Sequence, residues 1–442
     1  MESSQDISNN QPLNDEQKFT YIERMKAAWA KLPEDKKAAL KPTLDEADAE
    51  YANFLNTKKA PQHKFHNILR MKSYLTDDWD GKLRLQQQQI DANVAIGLGP
   101  EGEILGTGKY EQLDLCWELV AGTVWLENLL YKHPFPPGTP PLIQVPDLGT
   151  QKLKIAIAGD FGTGNFGASD SPSTKISKIM RTLQPHVTIH LGDVYYAGTG
   201  SDESTKLLNF WPPGSLHSFT LNSNHEMYAG GGPYFNQAVG GPLFNLSQSP
   251  WSYFAFEYGD WIVVGLDSAY CSGVMDLYMK GSLGNNNGQK AFLKAVAQSG
   301  KQVIVLTHHN GLELDGSRQT QLFDEVMAAF EGVNPPAYWY WGHKHAGVVY
   351  AQMKGTYFRC TGHAALPWGC SSQLSDSGLV DWFEKKNAND PAQKLRVCNG
   401  FTLLELDAHN LSETFIDEMG RVAWTPSMGD TRPDPGKKCP SN

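Results

Sequence analysis

The first third of the chain shows the apolar spacing of helices. Across residues 14–32, apolar positions recur at steps of three and four, the period of a helix with one buried face, and Asn14 or Asp15 is placed to cap it. Similar spacing predicts helices at about residues 42–56, 63–75 and 108–131. We therefore expect a mainly α-helical N-terminal domain over residues 1–132.

A proline-rich segment ends this pattern. Residues 133–146 contain six prolines. Because proline removes backbone donors and disfavours helix, we interpret residues 133–150 as an extended linker between two domains.

After the linker, short apolar runs alternate with helical segments. Runs apolar throughout predict buried strands at residues 154–160, 186–192, 302–307 and 337–341, and alternating strands are expected within 401–424. Two further strands at residues 252–268 flank Gly259-Asp260, which is a strong hairpin signal. Helices are predicted at residues 174–183 and 288–298. This mixture predicts an α/β domain over residues 151–442.

Charge and cysteine content exclude several classes of protein. With 38 Lys and Arg against 48 Asp and Glu, the net charge is −10, which disfavours a nucleic-acid scaffold. The six cysteines include no Cys-x-x-Cys pair, so neither a disulfide scaffold nor a zinc ribbon is indicated, although one or two disulfides fit. We see no signal peptide and no apolar stretch of membrane-spanning length. We therefore expect a cytoplasmic protein without a membrane span, with export by a signal-less route left open.

Polar residues with metal-binding chemistry follow the predicted buried strands. Those at strand ends, or in the polar turn between them, are Asp160, Asp193, Asn224, His225, His308, His343 and His345. Because buried strands of α/β folds deliver their carboxyl ends to one edge, we expect these side chains to converge. Oxygen and imidazole ligands favour zinc, manganese or iron. The donors suffice for two ions that share a carboxylate, a clamp suited to displacement at phosphorus.

One segment supports a competing interpretation. Residues 162–167 fit G-x-G-x-x-G after a strand, which is the dinucleotide fingerprint of a Rossmann oxidoreductase. Against it, Pro172 and a serine-rich stretch interrupt the helix that should follow at once. No acidic residue ends a second strand about 20 residues further on, where the ribose contact belongs.

Five motifs together resemble those of the calcineurin-like metallophosphoesterase superfamily, in the same order. They are GDFG at 159–162, GDVYYAG at 192–198, SNHE at 223–226, THHN at 307–310 and GHKH at 342–345. The predicted hairpin also resembles the strand pair between the third and fourth motifs. The resemblance covers roughly residues 152–370 and implies a four-layer sandwich, with two mixed β-sheets flanked by helices. It does not cover the first 150 residues, which could cap the cleft, self-associate or bind a partner.

A finer resemblance concerns one tyrosine. Many members have a histidine two residues after the first aspartate, where this chain has Gly162. Purple acid phosphatases show the same gap and fill it with a tyrosine three residues after the second aspartate, which here is Tyr196. A phenolate favours Fe(III), so the exchange makes chemical sense. The alternative is that Tyr196 is a core aromatic beside Tyr195 and that the site lacks one ligand.

The resemblance implies two metal ions, iron with iron, zinc or manganese. The implied ligands are Asp160, Tyr196 and His345 for the first ion, Asn224, His308 and His343 for the second, and Asp193 as the bridge. His225 matches the family position that stabilises the transition state or protonates the leaving group, and His309 is a possible second acid or substrate contact. Whether His308 or His309 is the ligand stays open.

The implied activity is hydrolysis of a phosphate ester by attack of metal-bound hydroxide, with a phosphomonoester favoured. A phosphodiesterase acting on a nucleotide or phospholipid, or a non-catalytic scaffold, are the alternatives. Ser223 stands where the third motif usually has glycine, so we expect strain or a shifted loop there.

Overall fold

The computed structural model describes residues 13–57, 68, 70–75, 97–167, 169–428 and 439. The helices in order are α1 (Asp15–Lys31), α2 (Glu34–Thr57), α3 (Met71–Leu75), α4 (Leu115–Glu127), α5 (Pro172–Leu183), α6 (Gly200–Asp202), α7 (Asn224–Tyr228), α8 (Asn245–Gln248), α9 (Gln289–Ala297), α10 (Gln321–Met327) and α11 (Ser372–Asp376). Within the described residues, no helix is both long and apolar enough to cross a bilayer.

The N-terminal helices follow their apolar spacing, with differences at the ends. Helix α1 begins after Asn14, whose side chain accepts from the backbone N–H of Gln17 in a capping box. Helix α2 begins at Glu34, before the expected start, so Pro42 lies inside it. Of the helix expected at 63–75, the structure describes α3, and the other positions fall mostly outside the described residues. The expected helix at 108–131 is shorter, because Asp114 caps α4 and residues before it form turns.

The strands form two large sheets and one small one. The strands are β1 (Gly97–Leu98), β2 (Ile104–Leu105), β3 (Leu142–Gln144), β4 (Leu153–Ala158), β5 (Val187–His190), β6 (His217–Thr220), β7 (Phe254–Tyr258), β8 (Trp261–Leu266), β9 (Gln302–Thr307), β10 (Tyr338–Trp341), β11 (Gly347–Tyr350), β12 (Tyr357–Thr361), β13 (Val380–Phe383), β14 (Gly400–Leu406), β15 (Leu411–Asp417) and β16 (Val422–Trp424). Eight strands run in the order β13-β11-β12-β10-β9-β8-β7-β3 and six in the order β16-β15-β14-β4-β5-β6, while β1 and β2 pair separately.

The two large sheets pack face to face. Ile155 and Val187 of the six-stranded sheet share one buried cluster with Val263 and Ile304 of the eight-stranded sheet. Helix α5 covers the outer face of the smaller sheet, and α9 and α10 cover the outer face of the larger. This arrangement confirms the predicted four-layer α/β sandwich with a helical N-terminal region.

Two contacts bear on the predicted boundaries 1–132, 133–150 and 151–442, which stay a prediction. Strand β3, inside the predicted linker, pairs in parallel with β7 and extends the larger sheet. The N-terminal helices share one buried cluster with Tyr195, Tyr196 and Tyr228 of the α/β region. The helical region therefore packs directly on the sandwich.

A disulfide joins Cys370 to Cys439, and the four other cysteines are free. Its partners are 69 residues apart in sequence. The chain-entropy model gives a loop of that size a stabilisation of about 4 kcal/mol.

We expect four thiols to react with a thiol reagent in the denatured, unreduced chain, and six after reduction. Replacing Cys370 and Cys439 with Ser should lower the free energy of unfolding by about 2–4 kcal/mol in a urea titration. Cys271→Ser is the matched control and should leave this value nearly unchanged. Six reactive thiols without reduction would contradict the pairing.

Candidate metal centre

The residues predicted at strand ends lie together where the carboxyl ends of the two sheets meet. Strands β4, β5 and β6 are neighbours in parallel, as are β9 and β10. Asp160, Asp193 and Asn224 therefore arrive from one sheet, and His308 and His343 from the other. All are at most 4% exposed. The candidate site, called the pocket below, is therefore buried between the sheet edges.

One group of candidate ligands surrounds Asp160. The ligand atoms of Asp160, Asp193 and His345 all lie within 4.8 Å of one another. The Nε2 atom of His345 is 3.3 Å from Asp160 Oδ1. The other carboxylate oxygen of Asp160 accepts from the backbone N–H of His343 at 2.8 Å, which fixes the orientation of the carboxylate.

A second group lies on the other side of Asp193. His308, His309 and His343 bring one ring nitrogen each within 4.8 Å of one another. The Nε2 atom of His308 is 2.9 Å from Asn224 Oδ1 and 3.3 Å from Asp193 Oδ1. Asp193 thus adjoins both groups, the position that a bridging carboxylate needs.

The two adjacent histidines differ in what their ring nitrogens do. His308 donates from Nδ1 to the carbonyl oxygen of Leu191 at 2.8 Å, which turns its Nε2 toward the carboxylates. In His309, Nε2 donates to the carbonyl oxygen of Tyr278 at 2.8 Å and Nδ1 accepts from the hydroxyl of Ser268 at 2.9 Å. This geometry favours His308 as a ligand and makes His309 a fixed wall residue.

The tyrosine whose hydroxyl contacts the carboxylates is Tyr195, and the assignment of Tyr196 as a ligand stays a prediction. The hydroxyl of Tyr195 donates to Asp193 Oδ2 at 2.8 Å and lies 3.1 Å from both Asp160 Oδ1 and His345 Nε2. The hydroxyl of Tyr196 donates instead to Asp114 Oδ2, at 2.7 Å. The two adjacent hydroxyls therefore have different partners.

The imidazole of His225 faces the same carboxylates. Its Nδ1 donates to the carbonyl oxygen of Tyr196 at 2.6 Å, and its Nε2 lies 3.9 Å from Asp193 Oδ2. The ring is held between Tyr195 and Tyr228, with ring centroids 4.4 and 5.0 Å away. The free edge of the ring is therefore directed at the space between the candidate ligands.

Ser223 does not strain the third motif. Its φ is −137°, in the extended region that any residue adopts, so the expected cost of replacing glycine is absent. The hydroxyl accepts from the backbone N–H of His225 and caps α7, and it also contacts Asp193 and Glu226.

Backbone strain is concentrated at this site. Asp160, Asp193, His343 and His345 have φ values of 57°, 74°, 64° and 46°. This left-handed conformation costs free energy in residues other than glycine. It persists only where the surrounding structure stabilises it, and such residues cluster at functional sites.

The electrostatics of the pocket fit cations. Burial, together with the charge of Asp193, raises the pKa of Asp160 well above its usual range. Burial would also raise the pKa of Asp193, but His308 and His225 outweigh it and hold that pKa low. Burial lowers the pKa of both histidines, which favours their neutral, metal-binding form. Among the described residues, the ion-pair partners of the two carboxylates are histidines, so metal ions would supply the missing positive charge.

Sequence reasoning missed the residues that reach this pocket from the helical region. Tyr110 and Trp117 place their rings 4.9 and 6.1 Å from that of Tyr196, and Asp114 bonds to its hydroxyl. No motif marks these residues, because their role depends on how the N-terminal helices pack. Tyr195, in contrast, could have been considered from the sequence, because it lies next to Tyr196 in the second motif.

Residues 153–347, a little under half of the chain, match the family model described as calcineurin-like phosphoesterase. The match does not decide between the subtypes of that family. All five sequence motifs lie within the matched segment. No curated protein matches the chain.

Solved structures that resemble the chain have low identity. GAP50, described as the anchor in the inner membrane complex of Plasmodium, is 12% identical, with 62% of this chain and 88% of that chain covered and a TM-score of 0.46. A dimetal phosphatase from Danio rerio is also 12% identical, with 61% and 97% covered and a TM-score of 0.40. The calcineurin-like phosphoesterase YfkN from Bacillus subtilis is 11% identical, with 62% and 93% covered and a TM-score of 0.34.

Two buried histidines outside the candidate ligands predict a loss of stability in acid. Burial lowers the pKa of His190 and His363 to about 3. Histidine titrates near 6.5 in the unfolded chain, so below that pH the unfolded state binds more protons. The stabilisation that the two neutral histidines give the folded state is complete above about pH 6.5. As the pH drops below that value, the free energy of unfolding should fall by about 1.4 kcal/mol per pH unit for each histidine.

Urea titrations of the metal-free chain between about pH 7.5 and 5.5 measure this slope. His363→Gln should remove about one histidine's share of the acid loss. The exposed His409, replaced with Gln, is the control and should leave the loss in place. An unchanged slope in the His363 variant would show that its imidazole is not held neutral by the fold.

Proposed function

We propose that the chain is a phosphomonoesterase with a dinuclear metal centre. The observation that carries this proposal is the position of Asp193 between two groups of ligand atoms, one with Asp160 and His345 and one with His308 and His343. Two such groups on one carboxylate fit a pair of ions about 3.5–4 Å apart. We assign Asn224 to the second group, because its Oδ1 faces the same nitrogen of His308.

We further propose Tyr195, in place of Tyr196, as the phenolate ligand of the first ion. Its hydroxyl oxygen lies within hydrogen-bond distance of Asp160, Asp193 and His345. Burial raises the pKa of this phenol well above its usual range, so a strongly charged ion such as Fe(III) is needed to keep it deprotonated. This supports iron in the first position, with iron, zinc or manganese in the second.

When bound, the two ions would lower the pKa of a water molecule toward neutrality and neutralise the phosphoryl oxygens. The residues of the chain do the remaining work. His225 presents Nε2 toward the pocket, where it can hold a proton for the departing alcohol. His309 and the aromatic rings around Tyr195 exclude water from the site. This tight cover favours a small ester over a diester with two bulky groups.

Hydrolysis of matched aryl phosphate mono- and diesters, across about pH 5–9 with added iron, zinc and manganese, tests the proposal. We expect turnover of the monoester. Asp193→Asn should reduce kcat by about 100-fold or more, because both groups of ligands lose their shared carboxylate. The exposed Asp260→Asn is the matched control and should keep wild-type turnover.

Faster turnover of the diester than of the monoester would instead indicate a phosphodiesterase acting on a nucleotide or phospholipid. Absence of turnover with every metal would contradict the proposal and favour the non-catalytic scaffold.

The two adjacent tyrosines allow a direct spectroscopic test of the ligand assignment. Iron-loaded wild-type protein should show a visible phenolate-to-iron absorption band. Tyr195→Phe should abolish the band, whereas Tyr196→Phe should retain it, because the hydroxyl of Tyr196 is bonded to Asp114. A band that survives in the first variant and disappears in the second would restore Tyr196 as the ligand.

A further inference from the structure

Helix α4 reaches the pocket from outside the segment that matches the phosphoesterase family. Trp117, in its first turn, is 1% exposed. Its ring centroid lies 5.6 Å from that of Tyr195 and 5.9 Å from that of His225. The N-terminal region therefore contacts the residues around the candidate acid, and this contact has no counterpart in the five motifs.

Asp114 is the polar part of this contact. Its Oδ1 accepts from the backbone N–H of Cys116, and its Oδ2 accepts from the backbone N–H of Tyr110 at the same distance, 2.9 Å. These two bonds, both to the N-terminal region itself, fix the orientation of the carboxylate. The same Oδ2 atom accepts from the hydroxyl of Tyr196 at 2.7 Å. A buried carboxylate held in this way is a rigid anchor for that tyrosine.

Tyr196 connects the anchor to His225. Its carbonyl oxygen accepts from Nδ1 of His225 at 2.6 Å. A proton held on Nδ1 leaves Nε2, the nitrogen facing the pocket, as the atom that exchanges a proton. Any rotation of the Tyr196 peptide would turn the imidazole away from the carboxylates.

We propose that Asp114 and Tyr196 are positioning residues for His225, so that the N-terminal helical region completes the active site of the phosphoesterase domain. The proposal rests on the proposed function for its catalytic consequence. The competing explanation is that Asp114 only caps α4. The Tyr196 loop would then be held by its own backbone bonds, such as that from the N–H of Tyr195 to the carbonyl oxygen of Gly162 at 2.9 Å.

Two substitutions separate these explanations. Tyr196→Phe removes the hydroxyl bond but keeps the ring and the cap of α4. Asp114→Asn keeps an oxygen to cap α4 but disturbs the bond to the tyrosine. If both act through one hydrogen bond, the double variant should be no worse than either single variant, whereas independent effects would multiply.

The choice of substrate makes the test specific for His225. An alkyl phosphate has a poor leaving group that needs a proton, whereas 4-nitrophenyl phosphate has a good one that does not. We expect kcat for the alkyl ester to fall about tenfold in each variant and in the double variant, with KM unchanged. Turnover of the nitrophenyl ester should stay within about twofold of wild type.

Asn14→Ala is the matched control. Asn14 caps α1 in the same helical region and has no contact with Tyr196. This variant should lose some thermal stability and keep wild-type turnover of both esters. If Asp114→Asn does not fold, Tyr196→Phe alone carries the test, because it removes one hydroxyl from an intact core.

A second readout does not depend on turnover. In the zinc-loaded full chain, ¹⁵N NMR of histidine reports which ring nitrogen of His225 carries the proton, with His225→Gln assigning the signal. We expect the Nδ1-protonated form in wild type and a mixture of forms in both variants. If wild type hydrolyses neither ester, the proposed function fails, and the NMR result alone decides the positioning role.

Unchanged turnover of the alkyl ester with an unchanged His225 signal would overturn the inference. Equal loss on both esters would also overturn it, because that result indicates a general structural role for Asp114.

Discussion

Two carboxylates buried side by side are the constraint on which the rest of the structure depends. Asp160 and Asp193 lie at the ends of neighbouring parallel strands, and one tyrosine hydroxyl contacts both. Burying two like charges costs several kcal/mol per ion unless opposite charge compensates it. Burial lowers the pKa of His225 and His308, which limits the positive charge that these histidines can supply. The fold thus holds a deficit of positive charge at one point, and two cations would balance it.

This constraint explains why so many parts of the molecule meet at the pocket. The six-stranded sheet supplies the carboxylates, and the eight-stranded sheet supplies His308 and His343. The N-terminal helices then cover the pocket with Trp117 and anchor the Tyr196 loop through Asp114. Removing water in this way strengthens every electrostatic interaction inside the site. The helical region and the sandwich accordingly share one buried cluster.

The features that local sequence patterns determine, such as the buried strands and the hairpin, could be predicted from the sequence. Apolar runs located the buried strands, and the polar residues that follow them located the pocket, because strand ends in a parallel sheet meet at one edge. The order of the motifs predicted the family whose model matches residues 153–347. The hairpin at Gly259-Asp260 also followed from local turn chemistry, since β7 and β8 flank that dipeptide.

Other features of the site and fold depend on tertiary packing, which local sequence patterns do not determine. The sequence alone does not distinguish two adjacent tyrosines. The fold of the loop determines that the hydroxyl of Tyr195 meets the carboxylates. The contact between Asp114 and Tyr196 joins residues 82 apart in sequence, so no local pattern marks it. Similarly, the proline-rich segment read as a linker contains β3, whose pairing depends on the position of β7. The strain expected at Ser223 is absent, because that expectation assumed a positive φ.

Anomalous diffraction from a metal-loaded crystal of the full chain would test the dinuclear metal centre most directly. We expect two peaks about 3.5–4 Å apart, with Asp193 between them. Asp160, Tyr195 and His345 should surround one peak, and Asn224, His308 and His343 the other. A single peak, or two peaks away from Asp193, would contradict the dinuclear centre.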